Sequence, residues 1–460
     1  MTSFLPNLDR NIPRFLKVDW RVAITFFFMG TILAPAAWSQ GLPRAPQAQV
    51  FDLTPKPGYF TEPSIAINPH NPQQVAAAYQ DNAHIAYSMD AGKHWETAAG
   101  TAPPDYRVSG DVSVTYDKHG HAILCYMAFD KLGTFNYWAH GASRSGLFIR
   151  RSLDGGKTWE PQHIPVIQHE TAPGMPFEDK PYIVTDDSGG PHSGNLYVGW
   201  TRWTLEDSQI LLSRSTNDGK TWSAPLEIDK QRGLPRDDNG AVEGFSGVVG
   251  PDGTLYAVWA YADHIVFTYS TDGGANFSTP KNIIWVAPIM FHVQDVARAN
   301  GFPVIAIDPR NRKLYVTWSD YRNGEVDAFC STSTDGGRTW SDAVRVNSDP
   351  VHDGADHFFH WLAVDSTSGD AYVVFYDRRD DPRNQKSKVV LARSTDGGKT
   401  FTNYAWTDIG FDPGSVFMGD YTGIAALNGR VYGVWTEKPP NPQSRDTIVR
   451  VGVADFRGEK

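Results

Sequence analysis

Five-residue apolar runs with a tyrosine in second place and an aromatic in last recur along the chain: Leu196 to Trp200, Leu255 to Trp259, Leu314 to Trp318, Ala371 to Phe375 and Val431 to Trp435. Weaker copies lie at Val75 to Tyr79 and Ala122 to Tyr126. Each is preceded by another apolar segment, such as Ser64 to Ile67, Asp111 to Val114, Pro181 to Val184 or Trp361 to Val364. Short runs of this kind, rich in β-branched and aromatic residues and bounded by Gly, Pro and Asp, predict strands. The pattern predicts seven successive units.

A second repeat punctuates the first. One octapeptide with Ser first, Asp or Asn third, Gly fifth and an aromatic eighth begins at Ser88, Ser152, Ser215, Ser270, Ser333 and Ser394. The starts are 64, 63, 55, 63 and 61 residues apart, a period that fits a four-stranded propeller blade with generous loops. Short Ser and Asp side chains accept backbone N–H bonds inside a turn, Gly supplies positive φ, and the aromatic pins the turn to the sheet. Each unit then reads strand a, strand b, strand c, octapeptide turn, strand d. The seventh unit has a (near Tyr421 to Ala426), b (Val431 to Trp435) and c (Ile448 to Val453), but neither octapeptide nor d strand. Gln49 to Leu53 is the expected donor of that strand, closing the ring and removing two exposed edges. The expected fold is an all-β, seven-bladed β-propeller of four antiparallel strands per blade, with a six-bladed ring as the alternative.

Composition narrows the function. The 460 residues are 20% charged and carry a net charge of −10, which argues against nucleic acid or an anionic membrane as partner. Two cysteines, Cys125 and Cys330, make no disulfide scaffold and are expected as buried thiols. At the N-terminus, basic Arg14, Lys17 and Arg21 precede the apolar run Val22 to Leu33 and the small-residue site Ala37-Trp38-Ser39. This pattern predicts a signal peptide over residues 1–39, a secreted or periplasmic protein, and one monomeric domain over 40–460 without stable membrane insertion after cleavage. Removing four basic and two acidic residues with that segment leaves a net charge near −12.

The octapeptides resemble the Asp-box (BNR repeat) of the sialidase-like superfamily, and the resemblance covers nearly the whole chain after residue 39. It implies that the Asp-boxes are structural, on the face away from the active site. In an up-and-down blade the d–a connections and b–c loops share the other face. Charge collects there: Glu62, Asp111, Glu178, Asp179, Lys180, Glu243, Asp356 and Asp420 at the starts of a strands, and Asp81, Arg322 and Arg378 at the ends of b strands. Since a strands line the central channel, these groups are expected to converge on one axis.

Sialidases hold a carboxylate with three arginines, use a Tyr activated by a Glu as nucleophile, and use an Asp as acid/base. The resemblance implies Tyr421 as nucleophile, Glu243 as its base and Asp81 as acid/base. Arg322 and Arg378 are the carboxylate-binding arginines, with Glu178, Asp179 and Trp138 as further substrate contacts. Trp138 belongs to an aromatic b–c loop suited to stacking on sugar faces. The first arginine is missing: Thr61-Glu62-Pro63-Ser64 stands in its place, and a carboxylate there repels an anionic sugar such as sialic acid. The expected function is an exported, sialidase-like glycoside hydrolase acting on terminal sugars, with a carbohydrate or glycoconjugate partner and no cofactor. The alternatives are a non-catalytic propeller binding glycan or protein on the same rim, and a polysaccharide lyase. His264, His292, His357 and His360 offer a candidate metal group, and Glu178, Asp179 and Asp356 a candidate Ca²⁺ site.

Overall fold

The computed structural model describes residues 41–80, 82–98, 103–104, 106–131, 142, 144–170, 176–441 and 444–459. Residues 1–39, expected as a signal peptide, and Asp81 and Trp138 lie outside the described residues. Leu42–Lys460 is one compact unit of seven four-stranded antiparallel sheets. Among the described residues no helix is long and apolar enough to cross a membrane.

Strands a, b and c of the seven blades are Thr61–Ile67, Val75–Gln80 and His84–Ser88; Val108–Tyr116, Ala122–Phe129 and Ser145–Ser152; Phe177–Thr185, Leu196–Trp203 and Ser208–Ser215; Val242–Val249, Leu255–Tyr261 and His264–Ser270; Val304–Asp308, Lys313–Asp320 and Asp327–Ser333; His357–Val364, Ala371–Asp377 and Lys388–Ser394; and Gly423–Leu427, Arg430–Glu437 and Ile448–Asp455. Blade 7 takes its fourth strand from Gln49–Asp52, with Gln49 opposite Val453 and Asp52 opposite Arg450. Ring closure therefore follows the sequence expectation. The b-strand tryptophans Trp200, Trp259, Trp318 and Trp435 are almost wholly buried between blades, as their place at the end of a both-faces-buried strand requires.

All six octapeptides form the same turn between strands c and d. In each, the Ser hydroxyl donates to the Asp or Asn side chain and accepts from the Gly N–H; at Ser333 the two distances are 2.8 and 2.9 Å. In the four copies ending in Trp, the indole N–H closes the turn on the Gly carbonyl. Cys125 and Cys330 are buried free thiols.

One irregularity recurs at the axis. In blades 1, 2, 3, 4 and 6 the a strand carries one extra residue against strand b, at Thr61/Ser64, Gly110/Ser113, Asp179/Tyr182, Glu243/Ser246 and Phe358/Trp361. The first extra residue sits at positive φ each time: Glu62 (52°), Asp111 (44°), Lys180 (49°), Gly244 (75°) and Phe359 (50°). Bulges re-aim side chains, and a non-glycine residue in this region costs on the order of 1 kcal/mol. Neighbouring a strands are tied beside the bulge, where the hydroxyls of Ser64, Ser113 and Ser246 accept from the N–H groups of Val114, Ile183 and Ile305 at 3.1 to 3.2 Å.

Candidate functional site

The bulges bring charged groups from several blades to the axis. Lys180 is the hub: its Nζ lies 2.8 Å from Asp420 Oδ2, 3.0 Å from Glu243 Oε1 and 3.8 Å from Asp179 Oδ2. The Asp111 carboxylate accepts from the Lys180 backbone N–H at 3.1 Å and shares side-chain hydrogen bonding with Glu62 and Asp179. Asp420 is also clamped by Arg298, with Nε 2.8 Å from Oδ1 and the second guanidinium nitrogen on Oδ2, while the remaining nitrogen reaches Asp237. Gly419 permits this closeness: at φ 86°, a Cβ there would stand 2.6 Å from Glu62 Cγ. Asp237 and Arg298 come from the loops preceding blades 4 and 5, where no strand periodicity marks them.

Six carboxyl groups against two cations, nearly all of it buried, leave this centre under-neutralised. Burial first and the Asp420 charge second push Glu62 up to about 7. Burial holds Asp179 at about 8 against the pull of Lys180. Asp111 and Glu243 are driven well above the carboxylate range by burial, then by the charges of Glu62 and Asp237 respectively. Asp420 is the opposite case: despite its burial, Arg298 and Lys180 hold it below the usual range and therefore ionised. Environments that split like groups in this way are how a site obtains both an acid and a base near neutral pH.

Below these charges runs an axial cavity of about 420 Å³, reaching from Lys180 and Asp420 along the a strands to Pro69, Asp187 and Ser366 at the a–b turns. Its upper wall is aromatic: Tyr421 packs on Trp361 at 5.7 Å, and Tyr182 lies 6.0 Å from Trp361. Burial, then the charges of Asp111 and Glu62, raise the Tyr421 hydroxyl well above its ordinary value, so it is a neutral phenol beside two carboxyl groups.

The sequence-selected residues divide accordingly. Tyr421, Glu243 and Asp179 reach the axis, with Glu62, Asp111, Lys180 and Asp420 from the wider rim. Glu243 faces Lys180, while Asp111 and Glu62 are the carboxyl groups whose charge acts most strongly on Tyr421. Glu178, on the opposite face of its strand from Asp179, is occupied between blades 2 and 3 by Arg202 (2.5 Å), His169 (2.8 Å) and the Trp200 indole (2.5 Å). Arg322 is held between its own blade and blade 4, where it also donates to the Trp285 carbonyl at 3.1 Å, and Arg378 is held within its own blade. Arg322 forks onto Asp320 two residues back and stacks on Phe329 at 4.5 Å. Arg378 is wholly buried, donating to Ser387 Oγ at 3.0 Å and to the Asn384 carbonyl at 2.6 Å. Neither arginine lines the axial cavity.

The four histidines do not gather. His264 pairs with Asp263, His360 hydrogen-bonds Ser319 at 2.9 Å, and His357 sits with Asp327 and Asp349. These last three are the one group among the described residues spaced to hold a metal ion. Arg345 and Arg379 already reach its carboxylates, at 2.7 Å from Asp327 and 3.5 Å from Asp349. Asp356 accepts from the Val326 and Asn384 N–H groups and shares no hydrogen-bond partner with Glu178.

Fold and site together define a seven-bladed β-propeller with a carboxylate-rich axial centre. No family model matches the chain. Over 221 residues it is 28% identical to a sialidase of Bacteroides fragilis (strain YCH46), and the match spans 40% of this chain and 40% of that protein. The chain thus matches about two fifths of the length of this curated relative. Among solved structures it is similar to the Hadza microbial sialidase Hz136 (15% identity, TM-score 0.46, 84% of this chain and 73% of that one). It is also similar to a protein of unknown function from Dyadobacter fermentans (14%, 0.48, 90% and 99%) and to the intramolecular trans-sialidase of Ruminococcus gnavus (14%, 0.44, 89% and 97%). The blade count rests on strand pairing and not on these superpositions.

Proposed function

We propose that this chain is an exported glycoside hydrolase of sialidase-like type, acting on a terminal sugar that is not sialic acid. The observation that carries this reading is the set of axial carboxyl groups with opposed protonation beside Tyr421: Asp420 ionised, and Glu62 at about 7. Glycoside hydrolysis needs a proton donor for the leaving oxygen and a base or nucleophile opposite it. Glu62, partly ionised near neutral pH at about 7, takes the Tyr421 proton as the phenol attacks, because a phenol of ordinary pKa near ~10 is a poor nucleophile without a base, and Asp111, kept protonated by its burial, gives its proton to the leaving oxygen. Among the described residues the one axial guanidinium, Arg298, is already clamped by Asp420 and Asp237, so an anionic sugar finds carboxylates there and no free arginine fork. The basic and then apolar N-terminal segment supports export to the periplasm or beyond.

A panel of fluorogenic glycosides tests the reading: release from an uncharged or amino-sugar glycoside, with none from a sialoside, supports it, and release from the sialoside alone contradicts it. The engagement of Arg322 by Asp320 and the Trp285 carbonyl, and of Arg378 by Ser387 and Asn384, favours a second reading, a non-catalytic glycan-binding platform. Binding without release of any product selects that reading.

A further inference from the structure

The axial cavity of about 420 Å³ is open at one end only. Its lining at the Lys180 end, with Asp420, Asn300 and Gly244, is buried, and the Lys180–Asp420 pair at 2.8 Å, backed by Arg298, closes it there. Among the described residues the exposed lining is Pro69, Asp187 and Ser366, which stand in the a–b turns of blades 1, 3 and 6. Those turns share the face of the octapeptides, opposite the rim where the resemblance implies an active site. Inward from this mouth the wall consists of short side chains, Ala66, Thr115, Thr185, Ala363 and Ala426, each half-buried. Beyond them the rings of Tyr182, Trp361 and Tyr421 bring blades 3, 6 and 7 together across the axis, with centres 5.7 to 6.0 Å apart.

We infer that the axial cavity is a binding pocket entered from the octapeptide face, and that it takes an uncharged ring bearing hydroxyl groups. The small residues leave the space, and the rings offer flat faces on which such a ligand packs. The Tyr182 and Tyr421 hydroxyls and the Trp361 indole N–H have no hydrogen-bond partner among the described residues, while the Thr115 and Thr185 hydroxyls, 3.3 Å apart, bridge blades 2 and 3 and keep capacity for a further bond. A purely apolar guest would leave these polar groups buried and unpaired. A charged guest would find no free counter-ion, since Lys180 and Asp420 hold each other and Asp187 at the mouth lies 3.7 Å from His70. On the hydrolase reading, on which this assignment rests, the ring is a neutral terminal sugar, and the rest of the glycan leaves between Pro69, Asp187 and Ser366.

Thiol labelling tests both the entrance and the ligand. Cys125 and Cys330 are buried, so a cysteine placed in the channel by Ala363→Cys is the thiol that methyl methanethiosulfonate reaches in the otherwise intact protein, read by mass spectrometry. Adding Asp187→Trp and Ser366→Trp at the exposed mouth should slow that labelling at least about tenfold, because exchange at a thiol depends on access. Ser366→Trp alone repeats the test should the pair lower the melting temperature. Methyl glycosides of glucose, galactose, mannose and N-acetylglucosamine are then added as protectants, with those of glucuronic acid and glucosamine as charged counterparts. The expected result is protection by at least one neutral glycoside and by neither charged one. No labelling of the channel cysteine, labelling indifferent to the tryptophans, no protection by any neutral glycoside, or equal protection by a charged one would each overturn the inference. Turnover separates it from the hydrolase reading. Protection by a neutral glycoside with no cleavage of any glycoside keeps the pocket and removes the hydrolase; cleavage at an unchanged rate with both tryptophans in place keeps the hydrolase and removes the pocket.

Discussion

Lys180 Nζ and Asp420 Oδ2, 2.8 Å apart, join blade 3 to blade 7 across the propeller axis. The pair is the keystone of the charge centre, because the same ammonium also offsets Glu243 and Asp179. Lys180→Met is predicted to destabilise the protein by about 3–5 kcal/mol, the usual cost of leaving buried charge uncompensated. Chemical denaturation measures it, and a loss under about 0.5 kcal/mol would contradict the assignment.

The axial carboxyl groups set the pH dependence of stability. Glu62 at about 7 and Asp179 at about 8 hold protons more tightly folded than unfolded. Their contribution is complete below the ordinary carboxylate range and lost as pH rises through 7 to 8. The octapeptide aspartates Asp90, Asp272 and Asp396, lowered to about 2, do the opposite and lose their smaller, solvent-screened contribution only on acidification towards pH 2. The melting temperature should therefore fall between about pH 5 and pH 8, and Glu62→Gln should flatten that fall. A melting temperature that rises over the same interval counts against the buried cluster.

Most of the fold was legible because the sequence repeats itself: the octapeptide marks six blades, the Tyr-containing b strand marks all seven, and Gln49 to Leu53 was the one strand left to complete blade 7. The axial site was legible in part. Charge at the starts of a strands pointed to Glu62, Asp111, Asp179, Lys180, Glu243 and Asp420, and the bulges of blades 1 to 4 explain why the first five of these meet at the axis, where Asp420 joins them from the loop before blade 7. Arg322 and Arg378 illustrate what strand arithmetic misses, since a guanidinium at a strand end binds the nearest acceptor, and Asp320 stands two residues before Arg322. Asp237 and Arg298 carried no signal, because loop residues have no period and their meeting with Asp420 depends on contacts far apart in sequence.

Asp335 accepts from the Arg338 and Thr339 N–H groups at 3.0 and 2.9 Å and from the Thr339 hydroxyl at 2.6 Å, on the face opposite the charge centre. Asp335→Ala should lower the melting temperature by a few degrees and leave the rate per folded molecule unchanged. An altered rate at unchanged melting temperature would show that the turn reaches the site.

Removing residues 41–53 strips blade 7 of its outer strand, uncovers Val451 and Val453, and breaks the Asp52–Arg450 ion pair of 2.7 Å. The loss should amount to several kcal/mol and favour association through the open edge. Light scattering and a denaturation curve read both effects; a truncated chain as stable and monodisperse as the intact one would refute strand closure.

The most direct test of the catalytic account is the turnover of the best glycoside by Tyr421→Phe, compared with its binding. Loss of the nucleophilic hydroxyl should lower the rate by about 10²–10⁴-fold or more while the affinity stays within about twofold, since the ring still packs on Trp361. Turnover that survives the substitution at the intact protein's rate would remove Tyr421 and its neighbouring carboxyl groups from the chemistry.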